Sequence, residues 1–296
     1  MKINCLGGGP GSLYFAILMK SSFPDAEIAI YEQNRFDDTF GFGVVFSDAT
    51  MEGFKEADEG TWQAITDNFE HWDDIHIHFK GEVLKSTGHG FAGMSRKEML
   101  VLMQGRAREL GVDLHFETLI RDPEELRDCD LLFAADGVNS ITREKYKDSF
   151  RPEVDFRPNR FVWLGTTFPF PAFTFHFIEN EHGLWRTHCY RYMADRSTVI
   201  IECTDETYAN TGLAVDDEAG TVAYISKLLE PFIGDAKIIN NKSHWRQFPN
   251  IACETWIHEN VVLAGDAVHT AHFSIGSGTK LAMEDSIALH QAMPCP

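Results

Sequence analysis

The strongest constraint in the sequence is a glycine-rich turn between an apolar strand and an apolar helix. Residues 2–6 predict a short buried strand, 13–19 predict a helix, and 27–31 predict a second strand. The turn that joins the first strand to the helix contains Gly7, Gly8, Gly9, Pro10, Gly11 and Ser12. The chain therefore opens as a βαβ unit, which favours an α/β fold.

This turn has the composition of a dinucleotide-binding turn. Glycines such as Gly7 and Gly9 allow a tight bend and let backbone N–H groups approach a pyrophosphate at the positive end of the helix. Ser12 stands at the third-glycine place, where its side chain must fit between helix and strand, and Gly11 relieves part of that crowding. Glu32 ends the second strand, 23 residues after Gly9, and is placed to bind a ribose hydroxyl. An ordinary glycine-rich turn followed by a solvated strand end is the alternative.

Charge and composition exclude several classes of protein. The chain has 26 basic and 45 acidic residues, and its net charge of −19 disfavours nucleic acids and anionic membranes as partners. No apolar run approaches the roughly 18 residues that span a bilayer, and the N-terminus shows no signal peptide, so we expect a soluble, cytoplasmic protein. The six cysteines form no C-x-x-C pair, which argues for reduced structural thiols.

The rest of the chain alternates between α/β segments and a segment of aromatic-rich strands. Ser95 is placed to cap a helix that ends at Gly111, and residues 151–253 read as aromatic-rich alternating strands interrupted by one helix, 216–232. A second α/β segment follows, with a predicted strand at 260–264 and a predicted helix at 279–293. We therefore predict an α/β domain built from residues 1–150 and 255–296, interleaved with a β-sheet domain of residues 151–254.

Two later motifs decide which dinucleotide is bound. They are Asp136-Gly137-Val138-Asn139-Ser140-x-x-Arg143 and Gly265-Asp266-Ala267, the latter followed by Gly276-Ser277-Gly278. With the first turn, and in this order, they resemble the fingerprints of the FAD-dependent aromatic hydroxylases of the p-hydroxybenzoate hydroxylase type. The resemblance implies a Rossmann-like FAD-binding domain interleaved with a mainly antiparallel β-sheet substrate domain. It also implies FAD as cofactor, and NADH or NADPH as co-substrate.

The resemblance assigns a cofactor-binding role to a set of residues along the chain. Asp266 would bind the flavin ribityl chain, Arg96 would lie against FAD, and the helix that follows residue 278 would stabilise negative charge on the flavin. The complete set of cofactor residues predicted is Gly7, Gly9, Pro10, Gly11, Ser12, Glu32, Gly43, Val44, Arg96, Asp136, Gly137, Asp266, Gly276, Ser277, Gly278 and Thr279.

Segments around Trp163, Glu202 and, above all, residues 272–279 are similar to the branch of this family that hydroxylates salicylyl-CoA and 2-aminobenzoyl-CoA. His272-Phe273 and Thr279 depart from the wider family, which often has a proline pair and an asparagine there. The branch implies hydroxylation of an aromatic substrate, CoA-linked, by molecular oxygen through a flavin C4a-hydroperoxide. A homodimer and a fused or separate reductase domain are the expected protein partners.

A catalytic base is not identifiable from the sequence. His272 is the best placed candidate for contacting the substrate, and the alternatives are His176, His188, Tyr190 and Tyr192. No metal is expected, because the pairs His76/His78 and His269/His272 have no accompanying carboxylate or cysteine cluster.

Other interpretations stay open. The chain could be a non-catalytic FAD-binding fragment, because relatives continue beyond residue 296, or another flavin enzyme of the same fold that acts on a tryptophan-derived aromatic. A flavin halogenase is disfavoured, since no W-x-W-x-I-P segment is present. Residues 141–160, with a local charge of +2, could receive CoA phosphates, although a solvated connection of mixed charge is the simpler interpretation.

Overall fold

The structure is a computed structural model that describes residues 1–39 and 41–294, apart from the side chain of Ile275. Its strands form three sheets in the described part of the chain. The strands are β1 (Lys2–Leu6), β2 (Glu27–Tyr31), β3 (Gly43–Ser47), β4 (Glu70–Trp72), β5 (Ile75–Phe79), β6 (Glu82–Ser86), β7 (Phe91–Ser95), β8 (Asp113–His115), β9 (Leu131–Ala134), β10 (Pro152–Thr166), β11 (Phe173–Asn180), β12 (Gly183–Met193), β13 (Arg196–Cys203), β14 (Ile238–Ile239), β15 (Arg246–Cys253), β16 (Ile257–His258) and β17 (Val261–Leu263).

Helices cover the sheets and connect them. The α-helices are α1 (Pro10–Ser22), α2 (Asp48–Ala57), α3 (Glu59–Thr66), α4 (Arg96–Glu109), α5 (Ile141–Lys145), α6 (Lys147–Phe150), α7 (Asp205–Asn210), α8 (Glu218–Ile233) and α9 (Gly278–Ala292). Short 3₁₀ turns occur at Pro123–Leu126, Gly265–Ala267 and Phe273–Ile275. No helix in the described ranges is both long and apolar enough to cross a membrane.

The first sheet carries the α/β part of the fold. Its strand order is β16-β17-β9-β1-β2-β8, and every pair is parallel except β16 with β17. The apolar side chains of α1 pack on it, and Phe15 of this helix stacks on Phe133 of β9 with ring centroids 4.3 Å apart. Because parallel strands end at one edge, the turns after β1, β2, β9 and β17 all lie at that edge, where open α/β sheets bind ligands.

The second, larger sheet has the order β14-β10-β13-β12-β11-β5-β6, with β15 also paired to β10. It is antiparallel except for the parallel pair of β11 and β5. One face packs against α8, where Ile225 and Leu229 meet buried residues such as Trp185. The combination of this sheet with the first one confirms the predicted fold class.

The hairpin β5–β6 belongs to the large sheet, although the predicted division places it in the first domain. Residues 75–86 precede the predicted boundary at 150, yet β5 pairs with β11 along Ile75–Phe79. The β-sheet part therefore includes residues from the first half of the chain. The exact division into domains stays a prediction.

The third sheet, β3-β7-β4, links the other two. The backbone N–H of Gly43 in β3 donates to Thr198 Oγ1 at 3.0 Å, and its carbonyl accepts from the Tyr190 hydroxyl at 2.8 Å. The missing side chain of Gly43 makes this approach feasible, because a Cβ there would collide with the Tyr192 side chain. The segment after residue 41 is thus held against one face of the large sheet.

Local predictions agree closely with the structure. The strands at 2–6 and 27–31 are confirmed. The Ser95 hydroxyl accepts from the Glu98 N–H at 3.4 Å at the start of α4, and Gly111 follows that helix with φ +87°. Of the cysteines, the five within the described residues are free thiols, and Cys295 lies outside them.

Candidate active site

The glycine-rich turn forms one end of the site. Gly7 has φ +97°, and a Cβ there would lie 2.5 Å from the Ala135 carbonyl oxygen, so the bend requires glycine. Gly9 is the N-cap of α1, makes no side-chain cap bond and borders open space, and Pro10 occupies the first helical position. Ser12 is fully buried at the third-glycine place, and its Oγ has no hydrogen-bond partner among the described residues. The positive end of α1 is therefore open to an anionic group.

Glu32 is held against this turn. Its Oε2 accepts from the Gly8 N–H at 2.7 Å, and its Oε1 accepts from the backbone and side-chain nitrogens of Asn34 at 2.8 and 2.7 Å. The carboxylate of this half-buried residue is thus fixed at the end of β2, at the place expected for a ribose contact.

Helices α1 and α9 begin at the same end of the site. Gly11 lies against Ala282, and the Ser286 hydroxyl donates to the Gly11 carbonyl at 2.9 Å. Further along, Ser22 and His290 are joined by a hydrogen bond of 2.7 Å. The two helices therefore run parallel, and both N-termini open toward the carboxyl edge of the first sheet.

Asp136, predicted to lie beside the cofactor, is bound to its own segment. Its Oδ1 accepts from the Ser140 hydroxyl at 2.6 Å, and its Oδ2 accepts from the N–H and hydroxyl of Thr142 at 3.1 and 3.2 Å. Gly137 next to it has φ +79° and open space around it. Asp136 thus holds the turn after β9 in shape, and a direct cofactor contact stays a prediction.

Arg143 joins the second motif to the third. Its Nη2 donates to the Val138 carbonyl at 2.7 Å, and its Nη1 donates to the Ala267 carbonyl at 2.9 Å. The sequence placed Arg143 in a motif and in the cationic stretch 141–160 that could receive CoA phosphates. The structure shows that it fixes the two turns relative to each other.

Asp266 and Arg96 face one another across the site. The Asp266 side chain is accessible, yet desolvation by the surrounding protein raises its pKa against the opposing effects of Arg96 and His269. Burial in turn lowers the pKa of Arg96.

Arg96 also connects three separate segments. Its Nε donates to Thr39 Oγ1 at 3.2 Å, its Nη1 donates to Thr279 Oγ1 at 3.3 Å, and its backbone N–H donates to the Phe42 carbonyl at 2.9 Å. The predicted cofactor residues Arg96, Asp266 and Thr279 are thus brought together from distant parts of the chain.

Asp285 is a residue of this site that sequence reasoning missed. It lies on α9, and its Oδ2 accepts from the Gly265 N–H at 2.7 Å and binds His269 Nε2 at 2.9 Å. The nearby carboxylate raises the pKa of His269. In the sequence, Asp285 is visible only as an acidic residue in the middle of a predicted helix. No local pattern indicates which turn its side chain will contact.

The segment before α9 approaches β3. Gly276 has φ +67°, and a Cβ there would lie 3.2 Å from Val45 Cγ1, whereas Gly278 borders open space. Val44, predicted as a flavin neighbour, is buried in the core of the first sheet. The side chain of β3 that approaches residues 276–279 is therefore that of Val45.

One face of the large sheet forms the opposite wall. Cross-strand pairing aligns two rows of residues on this face, because directly opposed residues point the same way. The rows are Phe177, Arg186, Glu202 and Phe161, and Phe175, His188, Ile200 and Trp163. Phe273, from the 3₁₀ turn before α9, stacks on Phe161 with ring centroids 4.4 Å apart.

A cavity of about 380 Å³ opens between this face and the segment at 272–274. It is lined by Phe175, Phe177, Arg186, Thr187, His188, Glu202, His272 and Ser274. His272, the weak catalytic candidate, lies on its wall with Nδ1 2.8 Å from the Ser274 hydroxyl, and burial lowers its pKa. This cavity is the candidate site for a substrate.

The structure separates the alternative candidates for a catalytic base into one that lines the cavity and three that lie elsewhere. His188 lines the cavity. His176 points away from it, binds Thr187 Oγ1 at 2.7 Å through Nδ1, and burial lowers its pKa to about 3. Tyr190 and Tyr192 hold the Gly43 segment. Within the described residues no group of three or more metal-ligating side chains occurs.

The cationic stretch 141–160 is largely neutralised. Lys145, Lys147 and Arg151 pair with Asp122, Glu144 and Glu254. Arg160 pairs with Asp205, and its guanidinium lies 4.8 Å over the Tyr208 ring, away from the cavity. Arg157 is different: it is half exposed, 4.0 Å from Asp155, and near enough to contribute to the lowered pKa of His272. Of the predicted stretch, Arg157 is the cation whose charge acts on His272, a residue of the cavity wall.

The comparisons with known proteins agree with this geometry. The family described as FAD binding domain matches residues 43–295. A salicyloyl-CoA 5-hydroxylase of a Streptomyces species is 42% identical over 99% of this chain and 58% of its own length. A 3-hydroxy-4-methyl-anthranilyl-[aryl-carrier protein] 5-monooxygenase of Streptosporangium sibiricum is 33% identical over 99% of this chain and 79% of its own length.

A similar fold occurs among solved structures. The tetrameric form of 2-methyl-3-hydroxypyridine-5-carboxylic acid oxygenase superposes with a TM-score of 0.79 at 17% identity, covering 98% of this chain and 81% of its own. The donor set also fits FAD: an open helix N-terminus at Gly9 for the pyrophosphate, Glu32 for a ribose, and Arg96 with Asp266 in the cleft beyond. The chain belongs to the FAD binding domain family, and FAD is the cofactor that its sequence predicts.

Proposed function

We propose that this chain hydroxylates the aromatic ring of an aryl-CoA thioester, as an FAD-dependent monooxygenase that uses NADH or NADPH and molecular oxygen. The observation that carries the proposal is the cavity of about 380 Å³, which adjoins the segment 272–279 between the cofactor residues and an aromatic sheet face. The two curated relatives support the substrate class, because each is named for an aromatic acyl group carried on a larger molecule.

FAD, when bound, supplies the redox chemistry that activates oxygen and inserts one oxygen atom into the ring. The residues of this chain have other tasks. Arg96 and the N-terminus of α9 place positive potential where the cofactor would lie, which favours negative charge there. Phe175 and Phe177 give the substrate an apolar wall that excludes water.

The CoA moiety would leave the cavity past Arg157. This side chain is half exposed, its ion pair with Asp155 is long at 4.0 Å, and its charge acts on His272 of the cavity wall, so a phosphate can replace Asp155 as its partner. We expect Arg157→Glu to raise the KM for the aryl-CoA by about tenfold. Arg160→Glu is the matched control on the same strand, because Arg160 is held by Asp205 and Tyr208, and we expect its KM to change little.

The protein is first incubated with FAD, desalted and examined by visible absorption. A retained flavin spectrum is expected, followed by NADH or NADPH oxidation stimulated by salicyloyl-CoA or 2-aminobenzoyl-CoA, with a product heavier by one oxygen. Addition of chloride distinguishes hydroxylation from halogenation. Either a folded but colourless protein or flavin reduction without a hydroxylated product would contradict the proposal. Only the second result favours a non-catalytic FAD-binding chain, because a colourless protein binds no FAD.

The chain spans a little over half of the first curated relative, 58% of its length. The activity of a whole protein, a homodimer, a fused or separate reductase domain and a cytoplasmic location are accordingly predictions. Gel filtration and a pull-down with the native host extract test the assembly, and cell fractionation tests the location.

A further inference from the structure

The cavity wall contains a polar group within an aromatic surface. Arg186 and His188 lie on β12, and Glu202 is paired with Arg186 across to β13. All three line the cavity, next to Phe175 and Phe177. The segment around Glu202 contributes to the family resemblance, but the proposed cofactor contacts use neither Arg186 nor Glu202.

These polar groups have unused hydrogen-bonding capacity. Glu202 is 4% exposed, and its Oε1 accepts one hydrogen bond of 2.6 Å, from the Asn159 amide. Its Oε2 lies 3.8 Å from His188 Nε2, which is too long for a hydrogen bond. Within the described ranges, His188 Nδ1 and Arg186 Nε are buried and have no hydrogen-bond partner. Buried polar atoms are normally satisfied, so such a cluster at a cavity marks a place for a polar ligand group.

The charge state of Glu202 defines what it can bind. Burial alone would raise the pKa of Glu202, but His188, Asn159, Arg186 and His272 together outweigh it and leave the pKa below its ordinary value. The side chain is therefore an ionised carboxylate at neutral pH, which accepts hydrogen bonds and cannot donate them. Its ligand partner must be an O–H or N–H group.

The neighbouring cation adds a second requirement. Arg186 Nη2 lies 3.8 Å from Glu202 Oε1, so a donor site for the ligand stands directly beside the acceptor site. A ring that carries a hydroxyl or amino group next to an acyl carbonyl presents a donor and an acceptor at matching positions. An unsubstituted aromatic acyl group presents only the carbonyl.

We propose that Glu202, with His188 beside it, binds the hydroxyl or amino substituent of the substrate ring, while Arg186 binds the adjacent acyl oxygen. This subsite rests on the proposed function and adds to it the residues that recognise the substrate. It selects substituted rings over unsubstituted ones. By fixing both groups, it also sets which ring carbon faces the cofactor.

The test compares two probes, 2-hydroxybenzoyl-CoA and benzoyl-CoA, by titrating the FAD-loaded protein and following the flavin absorbance. The unaltered protein should bind the hydroxylated probe about ten- to a hundredfold more tightly, the value of a hydrogen bond to a charged group. In Glu202→Gln this ratio should fall to about threefold or less, with the affinity for benzoyl-CoA retained.

Two further variants separate recognition from a loss of structure. Glu206→Gln makes the same chemical change at an exposed position on α7 and should keep the full ratio. Arg186→Ala should weaken both probes by the same factor, because the acyl oxygen is common to them. If Glu202→Gln no longer retains FAD, the probe ratio of the unaltered protein tests the Glu202 contact and Arg186→Ala tests the Arg186 contact.

Each outcome decides a different point. Equal binding of the two probes by the unaltered protein, or an unchanged ratio in Glu202→Gln, overturns the subsite while leaving the proposed function intact. Unequal losses in Arg186→Ala overturn the role of Arg186. Binding of neither probe overturns the proposed function, and the subsite with it.

Discussion

The contact of Asp285 with the turn after β17 gives the sharpest stability prediction. One carboxylate oxygen accepts from the Gly265 N–H at 2.7 Å and binds His269 Nε2 at 2.9 Å. The Asp285 side chain is 10% exposed and that of His269 is 25% exposed, so solvent screens this pair only weakly. Asp285→Ala removes both bonds and leaves a buried N–H without an acceptor.

The expected loss follows from these two bonds. Hydrogen bonds to charged groups contribute about 1.5–3 kcal/mol each, so we expect Asp285→Ala to lower the free energy of unfolding by about 3–6 kcal/mol. Asp285→Asn keeps an acceptor for Gly265 and loses the charge, which should cost about half as much. At about 2–4 °C per kcal/mol for a chain of this size, Asp285→Ala should lower Tm by about 6–24 °C.

The pH dependence of the stability loss shows whether charged His269 takes part in this contact. The pKa of His269 is raised in the folded protein, so the pair stabilises the fold fully below the ordinary histidine pKa of about 6.5. This contribution is lost as the pH rises through the raised pKa. The difference in stability between the unaltered protein and Asp285→Asn should therefore be larger at pH 6 than at pH 9.

Urea unfolding followed by circular dichroism at both pH values measures these differences. Glu284→Gln is the matched control, because Glu284 is one residue away, 43% exposed and paired with Lys280 on the surface, and it should change stability by less than about 1 kcal/mol. The reasoning is refuted if Asp285→Ala unfolds like the control, or if the loss in Asp285→Asn is the same at both pH values.

Three further substitutions test the cofactor side of the site. Arg96→Ala should weaken FAD binding about tenfold or more in a fluorescence titration, because it removes the cation that faces Asp266. Gly7→Ala should destabilise the protein by more than about 2 kcal/mol in urea unfolding, since its φ is +97° and the added Cβ meets the Ala135 carbonyl. Ser12→Ala should instead raise stability by about 1 kcal/mol, visible as a higher Tm, because it removes a buried hydroxyl without a described partner. A lower Tm for Ser12→Ala would contradict this.

Much of the α/β part follows from local signals. The strands at 2–6 and 27–31 and the cap at Ser95 depend on nearby residues, so their positions could be predicted from the sequence alone. The cofactor residues follow from the resemblance of three motifs to a known family, and their contacts with FAD stay predictions. The fold and the cofactor are accordingly the best-predicted features.

The remaining features depend on contacts between distant residues. Arg143 and Asp285 act by reaching backbone groups of the turn at 265–267, and no local pattern encodes that meeting. Glu202 ends an apolar strand segment, which was visible in the sequence, but its neighbours come from other strands. The pairing of β5 with β11 joins residues nearly a hundred positions apart and carries no signal in either strand alone.

That pairing has a consequence for synthesis of the chain on the ribosome. The hairpin β5–β6 emerges about 95 residues before β11, which at roughly 5–20 residues per second is a wait of about 5–20 s. During this interval the edge of β5 has no strand beside it, and Phe79, Val83 and Leu84 of the hairpin are exposed even in the finished fold. An unpaired strand edge with apolar side chains is prone to pair with the wrong strand or with another chain. A chaperone that covers this edge would therefore act between the emergence of residue 86 and that of residue 180.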